Sequence, residues 1–238
     1  MTLTDRDRAG AAAAIFHQLA DLKRFYGPLP SPPADSFALF AWEVLAVRAM
    51  PQGRDAALAA LRRSRILTPD SLTRAPRGRL EAALAPAGGS IELRIEALVA
   101  GAALFRRHRH LTTSPGTSLF AVLRAFRLLP KLDAAAAHRL LLFATGRTVL
   151  PVDQRVHRVA VRLGYGAGTF GRRSARSVRR ALTGRLGQDL DAFRRAFIYL
   201  EHHGAVTCTE RDPHCAICPL LDDCPEGIRR VPAPRSVQ

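Results

Sequence analysis

The chain has 238 residues, 47% of them hydrophobic, which is enough for one or two globular domains, and no apolar run is long enough to cross a bilayer. Its 36 lysines and arginines exceed its 20 acidic residues and give a formal net charge of +16, which indicates a polyanionic partner, most simply a nucleic acid. Only Lys23 and Lys131 are lysines, so almost none of these basic side chains offers an amine nucleophile.

Apolar residues at helical spacing predict a series of α-helices, and no stretch alternates as a strand does. The first helix spans 6–27 and ends at Gly27 and Pro28, residues that stop helices. The proline-rich segment GPLPSPPADS then separates it from a buried helix at 37–49. Further helices are predicted at 54–63, 70–73, 79–84, 92–108 and 118–127. The pattern therefore predicts an all-α fold.

The stretch LLPKLDAAAAHRLLLFATGRTVLPVDQRVHRVAVRLGYG predicts a helix, a tight turn at 129–133, a second helix of about a dozen residues and a third helix that begins at Asp153. Aspartate at the start of a helix commonly serves as its N-cap and contributes about 1 kcal/mol. A carboxylate can equally stabilise a developing positive charge or activate water. The residues alone leave both roles open for Asp153.

Basic residues cluster in two places behind Asp153. Arg155, Arg158 and Arg162 form a stripe on the third helix, opposite its apolar residues. The segment FGRRSARSVRRALTGR brings together Arg172, Arg173, Arg176, Arg179 and Arg180. A run this dense is rarely a neutral surface, so it predicts contacts with phosphate.

All four cysteines lie in one C-terminal segment, at Cys208, Cys215, Cys218 and Cys224, with six, two and five residues between them. Four thiolates in one segment can hold a zinc ion or a 4Fe–4S cluster. Zinc sites usually pair two close Cys-x2-4-Cys knuckles, and only Cys215 and Cys218 form such a pair, so the spacing favours the cluster. Structural disulfides are the remaining alternative, which the lack of a signal peptide and the size of the chain disfavour.

The cysteine segment, GAVTCTERDPHCAICPLLDDC, resembles the cluster segment of the endonuclease III family of DNA glycosylases. The stretch at 128–166 is similar, without a gap, to that family's helix-hairpin-helix and the helix after it. Upstream, LADLKRFYGPLPSPPADSFALFAWEVLAVRAM resembles the branch of the superfamily that removes alkylated bases. The resemblance implies an all-α, two-lobed helix-hairpin-helix DNA glycosylase fold, with a six-helix lobe at 36–148 and an iron–sulfur cluster lobe formed by 1–35 and 149–238.

The resemblance also implies roles for individual residues. Asp153 would be catalytic, and the four cysteines would ligate the 4Fe–4S cluster. Arg48 stands where the family has the glutamine that fills the gap left by a flipped-out base. The hairpin turn at Pro130, Lys131 and Leu132 would grip a DNA phosphate. Further DNA contacts are expected at Arg155, Arg172, Arg176 and Arg180.

The implied activity is hydrolysis of the N-glycosidic bond of a damaged base in double-stranded DNA. We expect a monomer that acts without a membrane, in the cytoplasm or on a bacterial nucleoid. Family members that also cut the strand carry a lysine eighteen residues before the aspartate, where this chain has Ala135, so abasic-site lyase activity should be absent or weak.

Departures from the family pattern keep two other hypotheses open. Lys131 and Asp133 replace the two glycines of the hairpin turn, and a carboxylate should repel phosphate there. The second hypothesis is therefore a DNA-binding or lesion-sensing relative that has lost efficient chemistry. The third is a zinc-bound structural module without DNA, which the net charge disfavours.

Overall fold

A computed structural model of the protein describes residues 5–47, 49–108, 124, 126, 128–130 and 132–231. Within these ranges every regular element is helical, as the apolar spacing predicted. No helix there is long and apolar enough to span a membrane.

The α-helices are, in chain order, α1 (Asp5–Tyr26), α2 (Ser36–Ala46), α3 (Pro51–Arg63), α4 (Pro69–Arg74), α5 (Arg77–Leu84), α6 (Ile91–Arg107), α7 (Ala134–Arg139), α8 (Gln154–Arg162), α9 (Arg172–Leu186), α10 (Leu190–Val206) and α11 (Pro225–Arg230). Short 3-10 helices lie at Ala85–Ala87 and Cys215–Ile217, and a π-helical turn at Leu140–Ala144 continues α7. The predicted helix at 118–127 falls largely outside the described residues.

Contacts between these elements divide the chain into two compact units. One unit comprises Met1–Ser31 with Thr148–Gln238, and the other comprises Pro32–Arg147. The division into a six-helix lobe at 36–148 and a cluster lobe at 1–35 with 149–238 remains a prediction. The N-terminal helix α1 thus belongs to the same unit as the C-terminal cysteines.

An aromatic cluster anchors the core of the unit Pro32–Arg147. Phe37, Phe40 and Phe105 meet from α2 and α6 with ring centroids 5.4 to 5.9 Å apart. Gly101 permits this approach, because a Cβ atom there would lie 2.1 Å from the Phe40 ring. A side chain at position 101 would therefore push α6 away from α2.

A buried ion pair holds α7, the second helix of the hairpin, to α2. Glu43 is 5% exposed and accepts hydrogen bonds from Nε and Nη2 of Arg139, the latter at 2.7 Å. A buried charge without its partner is strongly destabilising. The ion pair between Glu43 and Arg139 therefore fixes the position of α7 against α2.

The unit that holds the cysteines is built around α8 and α10. Gly204 of α10 lies so close to Arg155 of α8 that an added Cβ atom would stand 2.9 Å from the Arg155 Cβ. Helix α1 packs on α9 and α10, and Tyr165 donates a hydrogen bond of 2.7 Å to the Gln18 side chain of α1. This close packing sets α8, with Asp153 at its start, against the helix that leads into the cysteine segment.

Candidate active site and cysteine pocket

Asp153 lies at the start of α8 as its N-cap. One of its carboxylate oxygens accepts a hydrogen bond from the Val156 amide at 2.9 Å. Val152 and Val156 on either side are buried, whereas Asp153 is half-buried. The carboxylate is therefore held in a defined direction and stays accessible to solvent.

Helix α9 and the loop before it contact residues on both sides of Asp153 in the sequence. Arg179 donates a hydrogen bond of 2.8 Å to the carbonyl oxygen of Leu150, three residues before Asp153. Phe170 packs edge-on against His157, one turn after Asp153, with ring centroids 5.4 Å apart. His157 is 3% exposed, and its Nε2 has no hydrogen-bond partner among the described residues. Burial lowers the pKa of His157, which keeps the ring neutral at neutral pH.

The hairpin turn leads into α7 through Asp133. Its side chain is exposed and accepts a hydrogen bond of 2.7 Å from the Ala136 amide, so Asp133 is the N-cap of α7. The carboxylate thus accepts the hydrogen bond of an amide that would otherwise be available to a phosphate at this end of the helix. Pro130 and Leu132 are half-buried. Two other predicted DNA contacts, Arg48 and Lys131, lie outside the described residues.

The basic stripe of α8 contacts the cysteine segment. Arg158 donates to the carbonyl oxygens of Gly204 at 2.6 Å and Cys208 at 2.9 Å. Arg162 donates to the Cys208 sulfur at 3.2 Å and to the carbonyl oxygen of Thr209 at 2.6 Å. The sequence located this stripe without identifying what it contacts, because its partners lie almost fifty positions further along the chain.

The remaining predicted DNA-contact arginines differ in their partners. Arg155 forms an ion pair with Glu201. Helix α9 contains six arginines and no aspartate or glutamate. Four of them are exposed and have no acidic partner or hydrogen bond in the part of the chain that the structure describes: Arg172, Arg173, Arg176 and Arg180.

The four cysteines line a single pocket, which Val159, Leu163 and Leu220 border with apolar side chains. None of the cysteines forms a disulfide. Within the described ranges no group of three His, Cys, Asp or Glu side chains is arranged to hold one metal ion. Each cysteine of a 4Fe–4S cluster binds a different iron, so its ligands surround a pocket and do not meet at a point. Four free thiols around one pocket are a suitable donor set for such a cluster.

N–H groups donate hydrogen bonds to two of the four cysteine sulfurs. Besides the Arg162 guanidinium at Cys208, the Gly227 amide donates to the Cys224 sulfur at 3.3 Å, where Cys224 caps α11. Donors of this kind stabilise thiolate ligands more than thiols. Burial, together with the charges of the neighbouring thiolates, raises the pKa of Cys218 to about 11. Metal binding at this pocket would therefore have to displace a proton.

A buried histidine lies beside the same pocket. His203 is 2% exposed, with Nε2 at 3.7 Å from the Cys218 sulfur. Its Nδ1 lies 2.8 Å from the Tyr26 hydroxyl, which in turn contacts the Thr207 hydroxyl at 2.5 Å. Burial lowers the pKa of His203 to about 4. The neutral ring thus links α1 to the cysteine segment.

No protein-family profile and no curated protein matches the chain by sequence. Solved structures do match. An endonuclease III trapped as a covalent intermediate with DNA is 19% identical, with a TM-score of 0.69 over 96% of this chain and 99% of that chain. A thermostable thymine-DNA glycosylase is 16% identical, with a TM-score of 0.69 over 92% of this chain and 97% of that one.

A third similar structure is a 3-methyladenine DNA glycosylase from H. pylori bound to 1,N6-ethenoadenine. It is 13% identical, with a TM-score of 0.62 over 84% of this chain and 99% of that chain. The three likenesses extend over most of both chains, so they concern the whole fold and not a single motif.

Proposed function

We propose that this chain, which has the helix-hairpin-helix DNA glycosylase fold, is a DNA N-glycosylase that removes a damaged base from duplex DNA. The observation that carries the proposal is the Asp153 carboxylate, held at the start of α8 by the Val156 amide. A fold alone does not specify an activity. The net charge of +16 adds support, because it suits a polyanionic substrate.

In the proposed reaction the target nucleotide is first extruded from the duplex, at a cost of a few kcal/mol. The bond between C1′ and the base nitrogen then breaks, the electron pair leaves with the base, and positive charge develops on the sugar. Asp153 stabilises that charge or accepts a proton from the water that adds to C1′. The departing base takes up a proton. The cap bond to Val156 keeps the carboxylate in one orientation throughout.

The proposed enzyme is monofunctional. Strand cleavage by Schiff-base chemistry needs an amine close to C1′. Ala135, which stands where related lyases have a lysine, is 5% exposed and offers no amine. The two lysines of the chain are Lys23, exposed on α1, and Lys131 in the hairpin turn.

We further propose that Cys208, Cys215, Cys218 and Cys224 hold a 4Fe–4S cluster. The support is the donor set of four free thiols around one pocket, together with the N–H groups that face two of the sulfurs. When bound, the cluster supplies a cross-link within the segment and a redox-active centre. No step of base release passes through it.

A DNA-binding relative without base release is the second candidate. The observation that favours it is that Asp153 and Asp133 both act as helix N-caps, a structural role that explains each aspartate without catalysis. In that case Asp153 would contribute to stability alone.

A panel of duplexes bearing oxidised pyrimidines, mismatched adenine or alkylated purines tests the choice between these candidates. The proposal predicts that at least one duplex accumulates abasic sites, which break only after heat or alkali, and that borohydride traps no covalent adduct. No base release from any duplex would support the second candidate. An adduct that Lys131→Ala abolishes would contradict monofunctionality.

A further inference from the structure

We propose that the arginine face, one surface formed by α9 and the loop residue Phe170 before it, binds a DNA strand and stacks on a nucleotide that has left the base stack. The arginine face consists of Phe170, Arg172, Arg173, Arg176 and Arg180. This inference deepens the proposed function, on which it rests for the identity of the partner.

Charge indicates what the arginine face binds. Its four guanidinium groups have no acidic partner among the described residues, and α9 itself contains no aspartate or glutamate. The arginines of α8, in contrast, are engaged within the protein, since Arg155 pairs with Glu201 and Arg162 holds the cysteine segment. The positive charge that remains for a polyanion in this unit is therefore concentrated on α9.

The spacing of the arginines fits a strand and not a single ion. Arg172, Arg176 and Arg180 follow one another at intervals of four residues, which places them along one side of the helix. With a rise of 1.5 Å per residue, the Cα atoms of successive arginines in this row are about 6 Å apart along the helix axis. An extended chain of phosphates can contact all three at once.

The start of α9 adds a further feature that favours an anion. Gly171 precedes the helix, and its own amide donates to the Ser174 side chain at 3.1 Å. The first amides inside the helix have no side-chain cap in the described part of the chain. The starts of α7 and α8 are instead occupied by the carboxylates of Asp133 and Asp153. Free amides at a helix start attract phosphate, and here they lie next to Arg172 and Arg173.

Phe170 distinguishes a nucleic acid from other polyanions. It is 49% exposed, and one edge contact with His157 fixes it one turn from Asp153. An exposed aromatic ring beside unpaired arginines is the combination that binds unstacked bases. Arg179, which holds α9 to Leu150, keeps the arginine face beside the start of α8. The arginine face is thus joined to residues on both sides of Asp153, to Leu150 through Arg179 and to His157 through Phe170.

Binding of two labelled duplexes, one fully paired and one with a single unpaired nucleotide, tests the arginine face over a range of salt concentrations. Arg176→Gln should weaken binding to both duplexes and reduce the slope of log K against log salt by about 0.9, the loss of one phosphate contact. Arg24→Gln is the matched control, because Arg24 is an exposed arginine on α1 that pairs with Asp21. Equal slopes for Arg176→Gln and Arg24→Gln would overturn the proposal.

Phe170→Ala tests the stacking. The loss of one stacked base should weaken binding to the duplex with the unpaired nucleotide by about 5- to 150-fold, with an unchanged salt slope and little effect on the fully paired duplex. An equal loss on both duplexes, or none on either, would contradict stacking. Circular dichroism at the same temperature checks that each variant is folded.

The outcome for the arginine face is separable from the outcome for base release. Neither binding measurement requires a damaged base or catalysis. If the salt slope of Arg176→Gln changes as expected while no lesion is excised, DNA binding by the arginine face is supported and the glycosylase proposal is contradicted. If a lesion is excised and the salt slope does not change, DNA binding by the arginine face is contradicted and the glycosylase proposal is supported.

Discussion

Asp133 and Asp153 occupy the same structural position on successive helices. Each carboxylate accepts a hydrogen bond from the amide three residues later, at 2.7 and 2.9 Å respectively. At the hairpin this bond fills a helix start that would otherwise attract phosphate. At α8 the same bond orients a half-buried carboxylate for the proposed chemistry. The residue type and the local geometry are shared, so only a functional measurement distinguishes a cap from a catalytic group.

His157 should make the stability of the protein depend on pH. Burial lowers its pKa in the folded protein below the ordinary value of 6.5, so the unfolded chain binds a proton more readily. The free energy of unfolding should therefore include the whole contribution of the neutral His157 above about pH 7 and should decrease as the pH falls towards about 5. His157→Leu removes this titration and a buried Nε2 that has no partner among the residues that the structure describes, so the variant should lose less stability over that range.

Urea unfolding at both pH values measures the effect of His157. His17→Leu serves as the matched control, since it replaces a histidine that is exposed on α1 and removes no buried group. A His157→Leu variant that loses as much stability as the wild type would show that His157 does not titrate differently on folding.

At the scale of elements, α8 connects the candidate catalytic residue to the cysteine segment. Asp153 begins the helix, and Arg162 at its end donates to the Cys208 sulfur and to the carbonyl oxygens of Thr209 and Glu210. One short helix thus positions both sites. Loss of order in the segment after Cys208 should therefore affect the helix that carries Asp153.

Arg162→Gln should weaken metal retention by the cysteine segment. The variant loses the charged hydrogen bond to Cys208, and such contacts around metal ligands commonly contribute 10- to 100-fold in affinity. Arg211→Gln is the matched control, because Arg211 is an exposed residue of the same segment. The measurement is the iron content and the absorbance at about 400 nm during incubation with a chelator.

Cys215→Ala provides the reference for complete loss of the cluster in that experiment. We expect the order of retention to be wild type, Arg211→Gln, Arg162→Gln and Cys215→Ala, with the first two equal. Full iron content in Cys215→Ala would contradict the cluster proposal itself. Equal retention by Arg162→Gln and Arg211→Gln would contradict the role of Arg162 alone.

For the whole molecule, the helices before residue 108 were largely predictable from the sequence, whereas those at Leu190–Val206 and Pro225–Arg230 were not predicted. The predicted helix at 6–27 corresponds to Asp5–Tyr26, and the one at 54–63 corresponds to Pro51–Arg63, where Pro51 at the first helical position extends the start. The helix predicted at 37–49 ends earlier, at Ala46. Apolar spacing and stop residues are local signals, which is why these elements could be located from the residues alone.

The partners of charged residues were not predictable in this way. Arg158 contacts residues 46 and 50 positions away, and Arg139 pairs with Glu43 across 96 positions. Helical spacing shows that such residues share a side of a helix, but it carries no information about what packs against that side. The roles of Arg155, the cysteines and Asp153 therefore stay predictions from the resemblance and from chemistry.

Net charge indicated the class of partner without indicating the surface. Basic residues outnumber acidic ones in both compact units. The dense run of arginines at 172–180 indicated a surface, and the structure limits it to four arginines once those with partners within the protein are set aside. It is the structure, and not the composition, that separates the arginines of α8 from those of α9.

Base release by Asp153→Asn under single-turnover conditions tests the central claim most directly, on whichever duplex the wild type releases a base from. Asparagine caps a helix about as well as aspartate, so the fold and the affinity for DNA should be kept. The negative charge is lost, so the rate of base release should fall by about 100-fold or more. A variant that binds DNA and releases the base at the wild-type rate would contradict the account and leave Asp153 as a helix cap.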